Sequence, residues 1–147
     1  MAGDLVPAFS YDSLVLPITW TTIRLFLHVL AATVWVGGQI TLAGLVPGLR
    51  ALSPEAPRMV ARRFNRIAWP AFVVLVATGI WNVVAVHGSI SGAYAVTLFV
   101  KVTVVALAGA SAALHSSAKN RAALALFGAL SALASLGAVF LGIMLAQ

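Results

Sequence analysis

Four long apolar stretches, each close to the ~20 residues needed to cross the hydrocarbon of a bilayer, constrain this chain more than any other feature. They run roughly from Ile18 to Val46, Ala68 to Val86, Tyr94 to Ser116 and Ala122 to Ala146. A water-soluble fold of 147 residues that is 62% hydrophobic and 8% charged cannot cover so much apolar surface. In hydrocarbon the backbone must satisfy its own hydrogen bonds, which selects helices or closed barrels, and runs of this length select helices. The expected fold is all-α, an integral membrane four-helix bundle over residues 18–147, preceded by an extramembrane or interfacial segment, 1–17. That segment, "MAGDLVPAFSYDSLVLP", has no basic n-region and carries Asp4 and Asp12, so it does not read as a cleavable signal peptide.

The connecting segments set an expected orientation. "GLRALSPEAPRMVARRFNR" holds Arg50, Arg58, Arg62, Arg63 and Arg66 against Glu55, and "SAKN" with the residue after it adds Lys119 and Arg121. "HGSISG" has no formal charge. Because cytoplasmic loops collect Lys and Arg, both termini are expected on the outer (periplasmic or extracellular) side of a cell membrane, most simply the bacterial cytoplasmic membrane. The net charge of +6 is then a mark of orientation, and no nucleic-acid partner is expected. Pro47 in "VPG" is expected to end the first helix, and Pro70 in "WPA" to sit in the first turn of the second. Arg58, Arg62 and Arg66, at i, i+4 and i+8, suggest a separate short amphipathic helix in the first loop.

The informative residues are those that hydrocarbon would not choose. At about 100° per residue, Arg24, His28, Trp35 and Gln39 fall within a ~60° arc of the first helix. Thr97, Lys101 and His115 cluster similarly on the third, and Thr78 and Asn82 on the second. His28 and Lys101 lie at similar depths, whereas His115 is ~20 Å from Lys101 along its helix, so His28 and His115 are not expected to share one metal ion. The acidic residues are Asp4, Asp12 and Glu55, all outside the expected spans. Arg24 and Lys101 therefore have two destinations: they snorkel to water and lipid phosphate, or an anionic ligand binds between them. Gly128, Ser131, Ser135 and Gly142 share one face of the fourth helix, the composition of a helix-packing surface within the chain or in a homo-oligomer.

"LHVLAATVWVGG", "RRFNRIAWPAFVVLVATGIWN" and "YAVTLFVKVTVVAL" resemble the CopD copper-resistance membrane domain and the HemJ-type protoporphyrinogen oxidases, haem-b-binding membrane proteins of four to five helices. The shared features are a histidine seven residues before a tryptophan and a Gly pair in the first helix, and a lysine early in the third. The HemJ-type resemblance implies His28 as a haem axial ligand and Lys101 as a functional, catalytic residue nearby. The CopD resemblance implies copper handling. His115 is displaced from the position at which a HemJ-type third-helix histidine is expected.

Three readings stay open on the sequence. One is a haem b (or related anionic porphyrin) protein, possibly a redox enzyme, with His28 on the iron, Arg24 and Lys101 neutralising propionates, and Trp35 and Asn82 lining the cofactor. Another is copper transport, with His28, His87 and Met144 as a loose outer metal site; the chain has no cysteine and few methionines, so a dense soft-ligand path is missing. The third is a structural or assembly subunit. No catalytic triad, carboxylate pair or phosphate loop is present, so redox chemistry would fall to a cofactor.

Overall fold

The structure, a computed structural model, describes residues 16–147, so most of the expected segment 1–17, with Asp4 and Asp12, lies outside the described residues. Helix α1 (Trp20–Ala32) passes without a break through a π-helical segment, Thr33–Gly37, into α2 (Gly38–Leu52). Helix α3 (Ala56–Val86) closes with a 3-10 turn at His87–Ser89, and α4 (Gly92–Ser117) and α5 (Arg121–Met144) follow. The four spans are each long and apolar enough to cross a membrane, the construction of a multi-pass membrane protein. Local chemistry fixes the ends. Thr19 and Thr22 form a reciprocal capping box at α1, Asn120 accepts from the Ala123 N–H at α5, and Gly92, at φ +51°, makes the tight turn into α4.

Two boundaries differ from the sequence expectation, for the same reason. The first span continues through Pro47 to Leu52, and α3 begins at Ala56, so that Pro70 is interior and Pro57 occupies the first turn. A proline removes one backbone donor, but spanning helices tolerate it because neighbouring groups take up the freed carbonyl. Arg58, Arg62 and Arg66 are consequently part of α3 and not of a separate loop helix.

The chain packs as two antiparallel hairpins, the first span against α3 and α4 against α5. Small side chains make the close approach possible: Ala31, Ala68, Ala108, Ser111, Ser131 and Ser135 are buried. Trp35, 4% exposed, is the one large side chain in the core. It lies in the π segment against Phe72 (centroids 4.5 Å) and Trp69 (5.8 Å). The Phe72 ring also lies over Gly109, and the Phe64 ring over Gly38, so that α3 meets both α4 and α2 through aromatic-on-glycine contacts. Phe99, Leu133 and Phe140 are more than half exposed on the outer faces, as a lipid-facing surface requires.

Candidate cofactor site at the Trp20 end of the bundle

Arg24 and His28 both turn inward, Arg24 buried and His28 half-buried. The His28 Nδ1 lies 2.9 Å from Thr78 Oγ1. The Thr78 hydroxyl lies 2.7 Å from the Val74 carbonyl and 3.1 Å from that of Leu75, to one of which it donates its single hydrogen. With that hydrogen given to a carbonyl, the hydroxyl oxygen can accept from His28 Nδ1, the tautomer in which Nε2 carries a lone pair. Gly79 follows Thr78, and a Cβ there would stand 3.5 Å from His28 Cε1, so the ring lies flat against α3 in ordinary contact.

One turn towards the Trp20 end, roughly 6 Å along each antiparallel helix, come Arg24 on α1 and Asn82 on α3. Arg24 Nε and Asn82 Oδ1 are both buried and both lack a hydrogen-bond partner. A donor and an acceptor thus stand unsatisfied at the same level, and each such group costs ~1–3 kcal/mol if nothing fills the need. Glu55 is the only acidic residue of the described part, and its contact is with Arg58 at 4.0 Å, so no carboxylate serves Arg24.

Lys101 enters from the other hairpin. It is half-buried on α4, and its ammonium lies over Gly142 of α5, where an added Cβ would stand 3.1 Å from Nζ.

The expected single stripe on the first helix divides in two. Arg24 and His28 face α3, whereas the Trp35 indole N–H donates to Ser135 Oγ of α5 at 2.9 Å and Gln39 reaches the same oxygen at 3.5 Å. The π segment between them is the cause, since i→i+5 bonding holds an extra residue per turn and rotates everything downstream by about one residue. Ser131 donates to the Ala108 carbonyl at 3.1 Å. Trp35 and Gln39 therefore tie the two hairpins together.

The remaining sequence candidates are dispersed. His87 lies nine residues beyond Thr78, roughly 13 Å along α3, exposed and bonded through Nδ1 to the Val84 carbonyl at 2.9 Å. Met144 ends α5, 48% exposed. His87 thus stands ~13 Å along the bundle from the level of His28, Met144 lies at the same end as His87, and no cluster of three His, Cys, Asp or Glu suited to a metal occurs among the described residues. His115 donates from Nδ1 to the Leu124 carbonyl at 2.8 Å and lies over Gly128, joining α4 to α5 at the opposite end. The small-residue face of α5 is accordingly occupied within the chain: Gly128 by His115, Ser131 by α4, Ser135 by Trp35 and Gly142 by Lys101.

Sequence reasoning grouped Thr78 with Asn82 but did not join Thr78 to His28. The signal was their i, i+4 spacing opposite an identical spacing of Arg24 and His28. Comparison with family models, curated proteins and solved structures finds no match.

Proposed function

We propose that this chain is a multi-pass protein of a bacterial cytoplasmic membrane that binds haem b, or a closely related anionic porphyrin, at the Trp20 end of the bundle, as a redox protein of the HemJ or CopD type. The observation that carries the reading is the His28–Thr78 bond. A histidine that holds metal characteristically donates its other ring N–H to a fixed acceptor, which sets tautomer and ring orientation, and His28 is built that way. The orphaned Arg24 Nε and the ammonium of Lys101, a residue without an intramembrane carboxylate, are what a dianionic guest would satisfy. These donors are of the kind that a haem and its propionates use. Bound haem would supply one-electron chemistry that no side chain here can perform. His28 would hold the iron through Nε2, Thr78 would keep the imidazole in that tautomer, Arg24 and Lys101 would bind carboxylates, and Asn82 would accept a hydrogen bond at the rim.

In this reading the Trp20 end faces outward and the arginine-rich end faces the cytoplasm, in keeping with the charge bias of the loops. Copper handling has weaker support, because His87 stands ~13 Å along the bundle from the level of His28 and the chain has no cysteine and three methionines. The test is the absorbance of protein purified in detergent after expression with haem precursor. A Soret band that disappears in His28→Ala and weakens in Arg24→Ala and Lys101→Ala is expected. A colourless protein that takes up no added haem, or a band indifferent to all three changes, refutes the proposal, and stoichiometric copper without a Soret band would favour copper.

A further inference from the structure

The proposed cofactor site makes no use of the chain's net charge, which is gathered at the other end of the bundle. Five arginines between Arg50 and Arg66, with Lys119 and Arg121, are exposed there, and Glu55 is the only carboxylate beside them. These groups account for the whole formal charge of +6. Among the described residues the one ion pair, Arg58 to Glu55, is long at 4.0 Å, and both side chains are about 70% exposed, so it holds Arg58 only weakly.

Depth decides what this charge meets. At 1.5 Å per residue α3 is roughly 46 Å long, against ~30 Å of hydrocarbon and ~40–45 Å with the headgroup layers. Ile67–Val86 is long enough to fill the hydrocarbon, which leaves Ala56–Arg66 to cross one headgroup layer, ~5–7 Å thick, and continue into water. Arg66 then stands at the hydrocarbon edge, with Arg62 and Arg58 roughly 6 and 12 Å farther out along the same side of the helix. Large apolar side chains are interleaved with them: Leu52 is 81%, Met59 53% and Ile67 62% exposed. A water-facing charged surface has no use for these, whereas a phospholipid offers phosphate and acyl chain side by side.

We propose that this ladder is a binding surface for phospholipids with a net negative headgroup, in which the guanidinium groups of Arg66, Arg62 and, reaching back along the helix, Arg58 hold phosphodiester oxygens and Ile67 meets the upper acyl chain. Guanidinium suits the task because its planar fork meets two phosphate oxygens at once. An acidic protein is the competing occupant, and it would have to displace headgroups from between exposed apolar side chains. The surface is independent of the proposed haem site.

The test uses the full-length protein in detergent with equimolar phosphatidylglycerol and phosphatidylcholine, with retained lipid counted by native mass spectrometry. Retention of phosphatidylglycerol over phosphatidylcholine by about ten-fold or more is expected, and R58Q/R62Q/R66Q should abolish it. Glutamine is a good helix former, so unchanged circular dichroism would show the fold intact. The R58K/R62K/R66K protein should keep only part of the preference, since ammonium preserves charge without the fork. Equal retention of the two lipids, an undiminished preference in the glutamine variant, or release of the bound lipid by polyglutamate would overturn the proposal, the last by pointing to an acidic protein.

Discussion

Gly109→Ala tests the packing on which the whole arrangement rests. A Cβ at position 109 would stand 2.7 Å from Phe72 Cζ and 2.9 Å from Cε1, where carbon atoms prefer ~3.5–4.0 Å. The ring would have to retreat by about 1 Å, but it is backed by Trp35 at 4.5 Å and Trp69 at 5.9 Å between centroids. Trp35 is in turn pinned to Ser135. With no slack on the far side, the strain falls on the α3–α4 separation, and overpacking of this kind costs ~1–3 kcal/mol. Thermal unfolding in detergent, followed by circular dichroism, should show that loss, and any haem bound at His28 should be held less well, because α3 carries Thr78 while α4 carries Lys101. Phe72→Leu shortens the side chain facing Gly109, so the double variant should recover much of the loss even though Phe72→Leu alone is destabilising. Gly109→Ala at wild-type stability, or losses that simply add in the double variant, would refute the packing argument; coupling between touching residues is ~0.5–3 kcal/mol.

Thr78→Val keeps shape but removes the acceptor for His28. Cofactor affinity should fall by ~10–100-fold, measured by haem titration, while the helix content stays the same. Arg24→Met removes a buried guanidinium with an unpaired Nε, so the protein without cofactor should melt at a higher temperature than wild type while binding anionic porphyrin more weakly, a trade of function for stability. Ser135→Ala leaves the Trp35 indole N–H without its acceptor; interhelical hydrogen bonds in membranes are worth ~0.6 kcal/mol on average and up to ~1.7, so a modest fall in unfolding free energy is expected, and the same change in a Trp35→Phe background should have almost none.

Much of the architecture was legible because hydrocarbon imposes simple demands. The four-span all-α fold follows from the lengths of the apolar runs, and the shared helix face of Arg24 and His28 from helical periodicity, whereas the choice of Arg24 between snorkelling and turning inward was not legible in the sequence. The helix ends at Pro47 and Pro70 were misjudged, because proline breaks helices far less strictly where neighbouring groups satisfy the freed carbonyl. The π segment at Thr33–Gly37 was invisible to a fixed 100° projection, and it holds Trp35 with its ring against Phe72 and Trp69 of α3 and its indole N–H on Ser135 of α5.

The sequence by itself determined which groups are scarce in this chain: Arg24, Lys101, His28 and His115 within apolar spans, and no carboxylate there to meet them. Only tertiary structure decided their company, because the register between two helices depends on how side chains interlock across the gap and leaves no trace in the spacing along either one. That register puts Thr78 under His28, leaves Arg24 Nε and Asn82 Oδ1 unsatisfied one turn away, and lays Lys101 across the bare backbone of Gly142.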